Sequence, residues 1–204
     1  MYSEFYKALL GAVSPFDKGV SDLKIRALPD IDGKRTRPQK TAAVLVPILD
    51  KDEPEIVLTV RSASLPTHPG QVSFPGGTVH HEDRSAISTA LREAEEEIGL
   101  DFSQVSPVGF LDRLDTISDY RVLPVVGLVR PSFVWTPDER EVAEVFTVPL
   151  KLAVSHEEYT HHEYVHDGAT DITSSLHWQG HMIWGITAAI LLNLGSRLEN
   201  LRPS

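Results

Sequence analysis

Apolar residues recur at two different periods along this chain, and each change of period marks an element. Phe5, Leu9, Leu10 and Val13 fall at helical spacing, which predicts an amphipathic helix over Tyr2–Val13. Ser14–Lys40 holds prolines, a glycine and a basic Lys34–Lys40 run, and reads as an irregular arm. Thr41–Leu49 reads as a strand, with Glu55–Arg61 as its hairpin partner across Asp50–Pro54. Ser62–Gly77 carries Pro66, Pro69, Gly70, Pro75, Gly76 and Gly77 and reads as a loop, with a short strand at Gln71–Ser73. The clearest helix is Arg84–Ile98, where Ile87, Leu91, Ala94 and Ile98 repeat every three or four residues. Asp83 is placed to cap its start, and Gly99 suits the position just past its end. Strands follow at Val105–Leu111 and Tyr120–Val129, then a loop or short helix over Asp138–Val148. Two more strands are expected at His156–Tyr164 and Thr173–Gln179, and a second long helix at Met182–Leu198. This order describes an α+β protein with a mixed sheet rather than repeated βαβ units. We divide it into residues 1–40, a helix and an arm, and a main domain over 41–204.

One stretch of the Arg84–Ile98 helix carries an unusual charge pattern: Arg92-Glu93-Ala94-Glu95-Glu96-Glu97-Ile98-Gly99. Residues three and four apart are neighbours on a helix, so Glu93, Glu96 and Glu97 are expected on one face, and Leu91, Ala94 and Ile98 on another. Like charges so placed repel by roughly 0.2–0.5 kcal/mol per pair. They also stand in the last turn, where the helix dipole favours cations. A divalent cation reverses both effects, and carboxylate oxygens suit Mg²⁺ or Mn²⁺. An acidic run alone usually marks a solvated face. Gly76 and Gly77, which let backbone approach a ligand or a neighbouring strand, turn the balance toward a site.

Composition narrows the partners. The net charge of −10 disfavours nucleic acid as a general partner, so a phosphorylated substrate would need arginines or bound cations to mask repulsion. The chain contains no cysteine, which excludes disulfides, thiolate metal sites and a cysteine nucleophile, and it fits the reducing cytoplasm. The apolar stretches Val44–Leu49 and Ile183–Leu194 are too short or too interrupted to span a membrane, and Glu4 and Lys7 interrupt the N-terminus where a secretory signal would be apolar.

The segment Gly77–Leu100 resembles the signature of the Nudix hydrolase superfamily: Gly, five residues, Glu, seven residues, then Arg-Glu-aliphatic-x-Glu-Glu-x-Gly-aliphatic. Arg92–Leu100 matches every fixed position of the second half, with Ala94 as the aliphatic residue. The first half departs, with Asp83 in place of Glu and one extra residue before Arg92. The run Leu58-Thr59-Val60-Arg61-Ser62, then Gly70, then Phe74-Pro75-Gly76-Gly77 resembles the motif of the coenzyme A pyrophosphatase branch, with Val57 for its first Leu and Pro66 for its second Arg. Asp119–Gly127 and Ile183–Thr187 are similar to that branch as well.

The resemblance implies a mixed β-sheet sandwiched between α-helices and a loop–helix–loop that holds Mg²⁺ or Mn²⁺. It implies Glu93 and Glu97 as metal ligands, with Glu96 sharing a metal or orienting water, and all three as the catalytic set. Arg92, Asp83 and Gly99 are structural in the motif. Arg61, Arg121, His68, Phe74, Gly76 and Gly77 are candidates for the substrate, since arginine forks match phosphate geometry. Arg61 and Arg121 read equally well as surface ion pairs. The expected substrate is a small nucleotide, coenzyme A or its derivatives, cut to 4′-phosphopantetheine and adenosine 3′,5′-bisphosphate. ADP-ribose or a dinucleotide is the alternative, favoured by Pro66, and a nucleotide-sensing module without catalysis is a third reading. His161, His162 and His166 crowd together, but adjacent strand residues point to opposite faces, which argues against zinc. Trp135, Trp178 and Trp184 read as core or interface rather than base stackers. Either terminal helix could serve a homodimer interface.

Overall fold

The structure, a computed structural model, describes residues 4–16, 25–27, 40–116, 119–166 and 169–201. Two strands form its spine, β2 (Lys40–Leu49) and β8 (Tyr120–Val129), which run parallel in unbroken ten-residue register. Their near-continuous apolar sequences suit strands covered on both faces. Along β2, Ala43, Leu45 and Leu49 enter one core while Val46 and Ile48 enter another. The first core is closed by α2 (Ala86–Ile98) and the second by α1 (Glu4–Ala12) and α4 (Gly185–Glu199). Among the described residues the main sheet has nine strands, running β1 (Ile25–Ala27), β7 (Arg113–Asp115), β8, β2, β3 (Glu55–Arg61), β4 (Val72–Ser73). Beside that path, β5 (Gly76–Thr78) pairs β2, β6 (Val105–Phe110) pairs β8, and β9 (Val142–Pro149) pairs β3. A second sheet of β10 (Thr160–His166), β11 (Ala169–Trp178) and β12 (His181–Trp184) packs against α4. The mixed sheet between helices is the expected α+β architecture.

The β2–β3 hairpin pairs only at its closed end, through Ile48↔Ile56 and Leu49↔Glu55. Beyond that point β5 takes β2's edge, pairing Ala43 with Gly77 and Val44 with Gly76. The glycine segment read as loop is therefore partly sheet, held between the spine and the second half of α2.

Three element readings change. Asp138–Val148, expected as loop or short helix, contributes β9 from Val142 onward. Phe146 and Val148 enter the α4-side core at period two, whereas Val142 enters the α2-side core, because the register shift opposite Val60 and Arg61 turns the strand over, and half-exposed Glu144 stands between them. The helix expected from Met182 begins only at Gly185, whose φ of 60° departs from the helix region, and His181–Trp184 is a strand. A short run such as Met182–Ile186 does not distinguish the two states by composition. Finally, most of the arm read over Ser14–Lys40 lies outside the described residues, but β1 within it pairs β7 in parallel and Lys40 opens β2. α1 shares one core with α4, through Leu9 and Val13. Among the described residues no helix is long and apolar enough to cross a membrane.

Candidate active site

The site grows from α2. Ser85, not Asp83, caps the helix: its Oγ accepts from the Ser88 N–H at 3.1 Å, and Ser88 Oγ accepts from the Ser85 N–H at 2.9 Å. This reciprocal pair satisfies two donors that the first turn would leave open. The other end closes at Gly99, in the left-handed region with φ 69°, whose N–H bonds Glu95 O. The Leu100 N–H returns to Ala94 O at 3.2 Å.

Asp83 is freed for another task. One oxygen accepts from Arg92 Nε at 3.1 Å; the other accepts from Arg92 Nη2 at 3.0 Å, Thr89 Oγ1 at 2.9 Å and the His80 N–H at 2.9 Å. The bidentate guanidinium holds the Asp83 carboxyl well below the ordinary carboxylate range. Arg92 Nη1 then reaches Glu93 at 2.9 Å and Glu96 at 3.0 Å. One arginine thus joins the loop before the helix to two glutamates on it.

The three glutamates do not share one environment, contrary to the single acidic face expected. Glu97 lies on the buried side with Ala90 and Ala94 and is 4% exposed. The Glu93 side chain is 12% exposed and that of Glu96 58%. On α2 they span an arc from core to solvent. Burial is the main reason that Glu97 is pushed up to about 8; Glu93's charge adds to it, while Arg61 and a hydrogen bond from the Gly76 N–H oppose it. Glu93 is also raised by burial, against the pull of Arg92. Gly77 is required by space: a Cβ there would stand 2.5 Å from the Glu93 carboxyl carbon. At Gly76 a Cβ would meet Ala43 O of β2 at 2.5 Å.

Facing Glu97 is Arg61, at the end of β3 where the β3–β9 register shifts. Its Nε is buried and has no hydrogen-bond partner among the described residues. The loop joining β8 to β9 packs from the other side. Its Thr136 N–H donates to Ile98 O at 2.9 Å and its Asp138 N–H to Glu97 O at 3.0 Å, so it covers carbonyls the helix end leaves open. The same loop is tied to β3 by the Ser62 N–H to Glu141 O bond of 2.8 Å. Glu141 is thereby brought near Glu97 and helps to raise it. Sequence reading missed Glu141, because nothing local separates it from Glu139 or Glu144; only the contacts of its loop do.

The remaining candidates fall elsewhere. Phe74, offered as a substrate contact, is 4% exposed and belongs to the core on the α4 side, so it anchors the glycine segment. His68 is exposed on the loop with φ 55°. Arg121 is bound in both prongs by Asp115 at 2.8 Å, which occupies the fork expected for phosphate. His161 and His162 bond Ser174 and Ser175 on the neighbouring strand. Trp178 Nε1 donates to Thr147 O at 3.0 Å, and Trp184 is 39% exposed. No group of three acidic, histidine or cysteine side chains is arranged to hold an ion among the described residues. The donor set fits a hard cation bound by one or two carboxylates with water completing its shell: Glu97 is a buried carboxylate with Glu93 beside it, and the Gly77 hollow leaves Glu93 room.

Comparison with known proteins agrees with this geometry. The NUDIX domain model matches residues 39–167. A protein of Photorhabdus laumondii described as an uncharacterized Nudix hydrolase, NudL, is 41% identical over 158 residues, covering 78% of this chain and 84% of its own. Its namesake in Escherichia coli K12 is 38% identical over 165 residues, covering 81% and 86%. The MutT protein from Methanosarcina mazei shares the fold at a TM-score of 0.52 and 18% identity, covering 82% of this chain and 99% of that one. The chain belongs to the Nudix hydrolase family. It is a hydrolase of a nucleoside diphosphate derivative, in a family that generally uses divalent cations.

Proposed function

We propose that this hydrolase cleaves the diphosphate linkage of coenzyme A and its derivatives, in the cytoplasm, giving 4′-phosphopantetheine and adenosine 3′,5′-bisphosphate. The observation that carries the reading is the run from Leu58 to Gly77, whose Arg61 lies near enough for its charge to act on Glu97. Glu93 and Glu97 would hold Mg²⁺ or Mn²⁺, with Glu96 beside them. When bound, such a cation offsets charge on the phosphoryl oxygens and lowers the pKa of water. Arg61 supplies a fixed positive charge at the same place, and a guanidinium fork suits phosphate oxygens. Arg92 keeps Glu93 and Glu96 directed while Asp83 keeps Arg92 in place. Asp115 leaves Arg121 a lesser part.

A second reading, cleavage of ADP-ribose or a dinucleotide, is favoured by Pro66, which stands where the coenzyme A motif has arginine. A panel of coenzyme A, acetyl coenzyme A, ADP-ribose and a diadenosine polyphosphate, incubated with Mg²⁺ or Mn²⁺ and analysed by mass, separates the two. The coenzyme A reading requires 4′-phosphopantetheine among the products; cleavage of ADP-ribose with coenzyme A intact would end it. A sensing module without catalysis would cut none of them.

A further inference from the structure

We propose that Glu141, on the loop between β8 and β9, is the proton acceptor for the water that attacks the scissile phosphorus. The inference rests on diphosphate hydrolysis at the glutamate site but not on coenzyme A being the substrate. Its first support is position. The loop is fastened at both ends of the site, to Glu97 O and Ile98 O on α2 and to Ser62 just after β3, so Glu141 is held between the last turn of α2 and Arg61. Within the loop, the Glu141 and Val142 N–H groups both return to Asp138 O, at 2.9 and 2.8 Å. The placement is thus made by backbone bonds and does not depend on the side chain it presents.

The second support is availability. A proton acceptor needs an ionised oxygen that no other group has engaged and that water reaches. Glu93 and Glu96 both accept from Arg92 Nη1. Glu97 is buried and accepts from the Gly76 N–H. Glu141 is exposed, and its carboxylate makes no hydrogen bond among the described residues. Arg61, one residue before the Ser62 anchor, gives it a positive neighbour against which a phosphate oxygen can settle.

The step balances simply. A water oxygen forms the new bond to phosphorus and its proton passes to the Glu141 carboxylate. The bridging P–O bond breaks, the leaving phosphate keeps the electron pair, and Glu141 later returns the proton to solvent.

The test uses the full chain and whichever nucleoside diphosphate compound the wild type cleaves. Wild-type turnover, and Mn²⁺ binding followed by electron paramagnetic resonance, are measured first; their absence defeats the hydrolase reading itself and is visible separately. In Glu141→Gln, kcat is expected to fall about 100-fold or more, while KM and Mn²⁺ binding stay within about threefold. Glu139→Gln, on the same loop, is expected to leave kcat unchanged. Three results would overturn the proposal: kcat retained in Glu141→Gln, Mn²⁺ binding lost with it, or an equal fall in Glu139→Gln. If Glu141→Gln melts well below the wild type, Glu141→Asp decides, since it keeps the acid but withdraws it by one methylene. A loss of about tenfold supports the role, and an unchanged kcat ends it.

Discussion

Two regions of this molecule bury carboxylates, and they do so in opposite ways. Between α1 and α4 lies a cavity of about 490 Å³, lined in part by Ser14, Asp112, Asn193 and Arg197. There Asp112 is paired on both oxygens, with Arg197 Nη2 at 2.6 Å and Asn193 Nδ2 at 2.7 Å. Its N–H bonds Asn193 Oδ1 at 3.1 Å, and Arg197 also donates to Ala12 O at 2.7 Å, covering the end of α1. Each strong group has a partner, so this network holds α1 to α4 and needs nothing further. At the glutamate site the charges are not closed. Glu97 is buried beside Glu93, and only Arg61 and one N–H oppose the repulsion. A folded chain that keeps a carboxylate under such stress has left room for a ligand of opposite sign. The cavity between α1 and α4 marks a structural joint; the strained pair marks the chemistry.

Substitutions can break that contrast, and the largest effect should come from Glu97→Gln. Turnover is expected to fall about 100- to 1000-fold. Metal-free stability at pH 8.5 should rise by about 1–2 kcal/mol, because a neutral side chain avoids the burial cost. Thermal melts in chelator, beside assays with Mn²⁺, measure both; a loss of both activity and stability would place Glu97 with the structural network instead. The mirror experiment is Arg197→Met. It leaves Asp112 without its cation and should cost about 2–4 kcal/mol, with kcat within about threefold of the wild type. Denaturant titration and the same assay decide whether the two regions are separable.

A smaller effect comes from pH. The folded-state pKa of Glu97, about 8, lies above its ordinary 4.5, so between these values the folded chain binds more protons than the unfolded one. Metal-free stability contributed by this group is therefore full below about 4.5 and declines as pH rises through 8. Cation binding requires the ionised form, so Mn²⁺ affinity should rise over the same window. Flat affinity from pH 6 to 8.5 would count against Glu97 as a ligand. The smallest effects distinguish the arginines. Arg61→Gln is expected to raise KM about tenfold. Arg121→Gln, already engaged with Asp115, should change it less than about threefold. A reversal would return the phosphate to Arg121.

Much of this was legible in the chain itself. The period of the α2 residues, the Arg92–Leu100 motif and the glycines at 76 and 77 defined the helix, the acidic cluster and the family by local pattern alone. So did the spine strands, because burial on both faces leaves a continuous apolar run. Readings failed where local pattern was ambiguous: β9 around Glu144, β12 against the start of α4, and the cap at Ser85 rather than Asp83.

Only the tertiary structure could decide how unequal three neighbouring glutamates are. That depends on which side of α2 meets the sheet, and α2 turns Glu97 inward with Ala90 and Ala94. Folding also decided that Arg61 opposes Glu97, that Asp115 claims Arg121, and that Glu141, forty-odd residues from the motif, arrives beside it. Sequence carries the short-range rules of period, cap and motif. The pairing of charges is set by strand register and by loops that satisfy open backbone groups, and these join residues far apart in the chain.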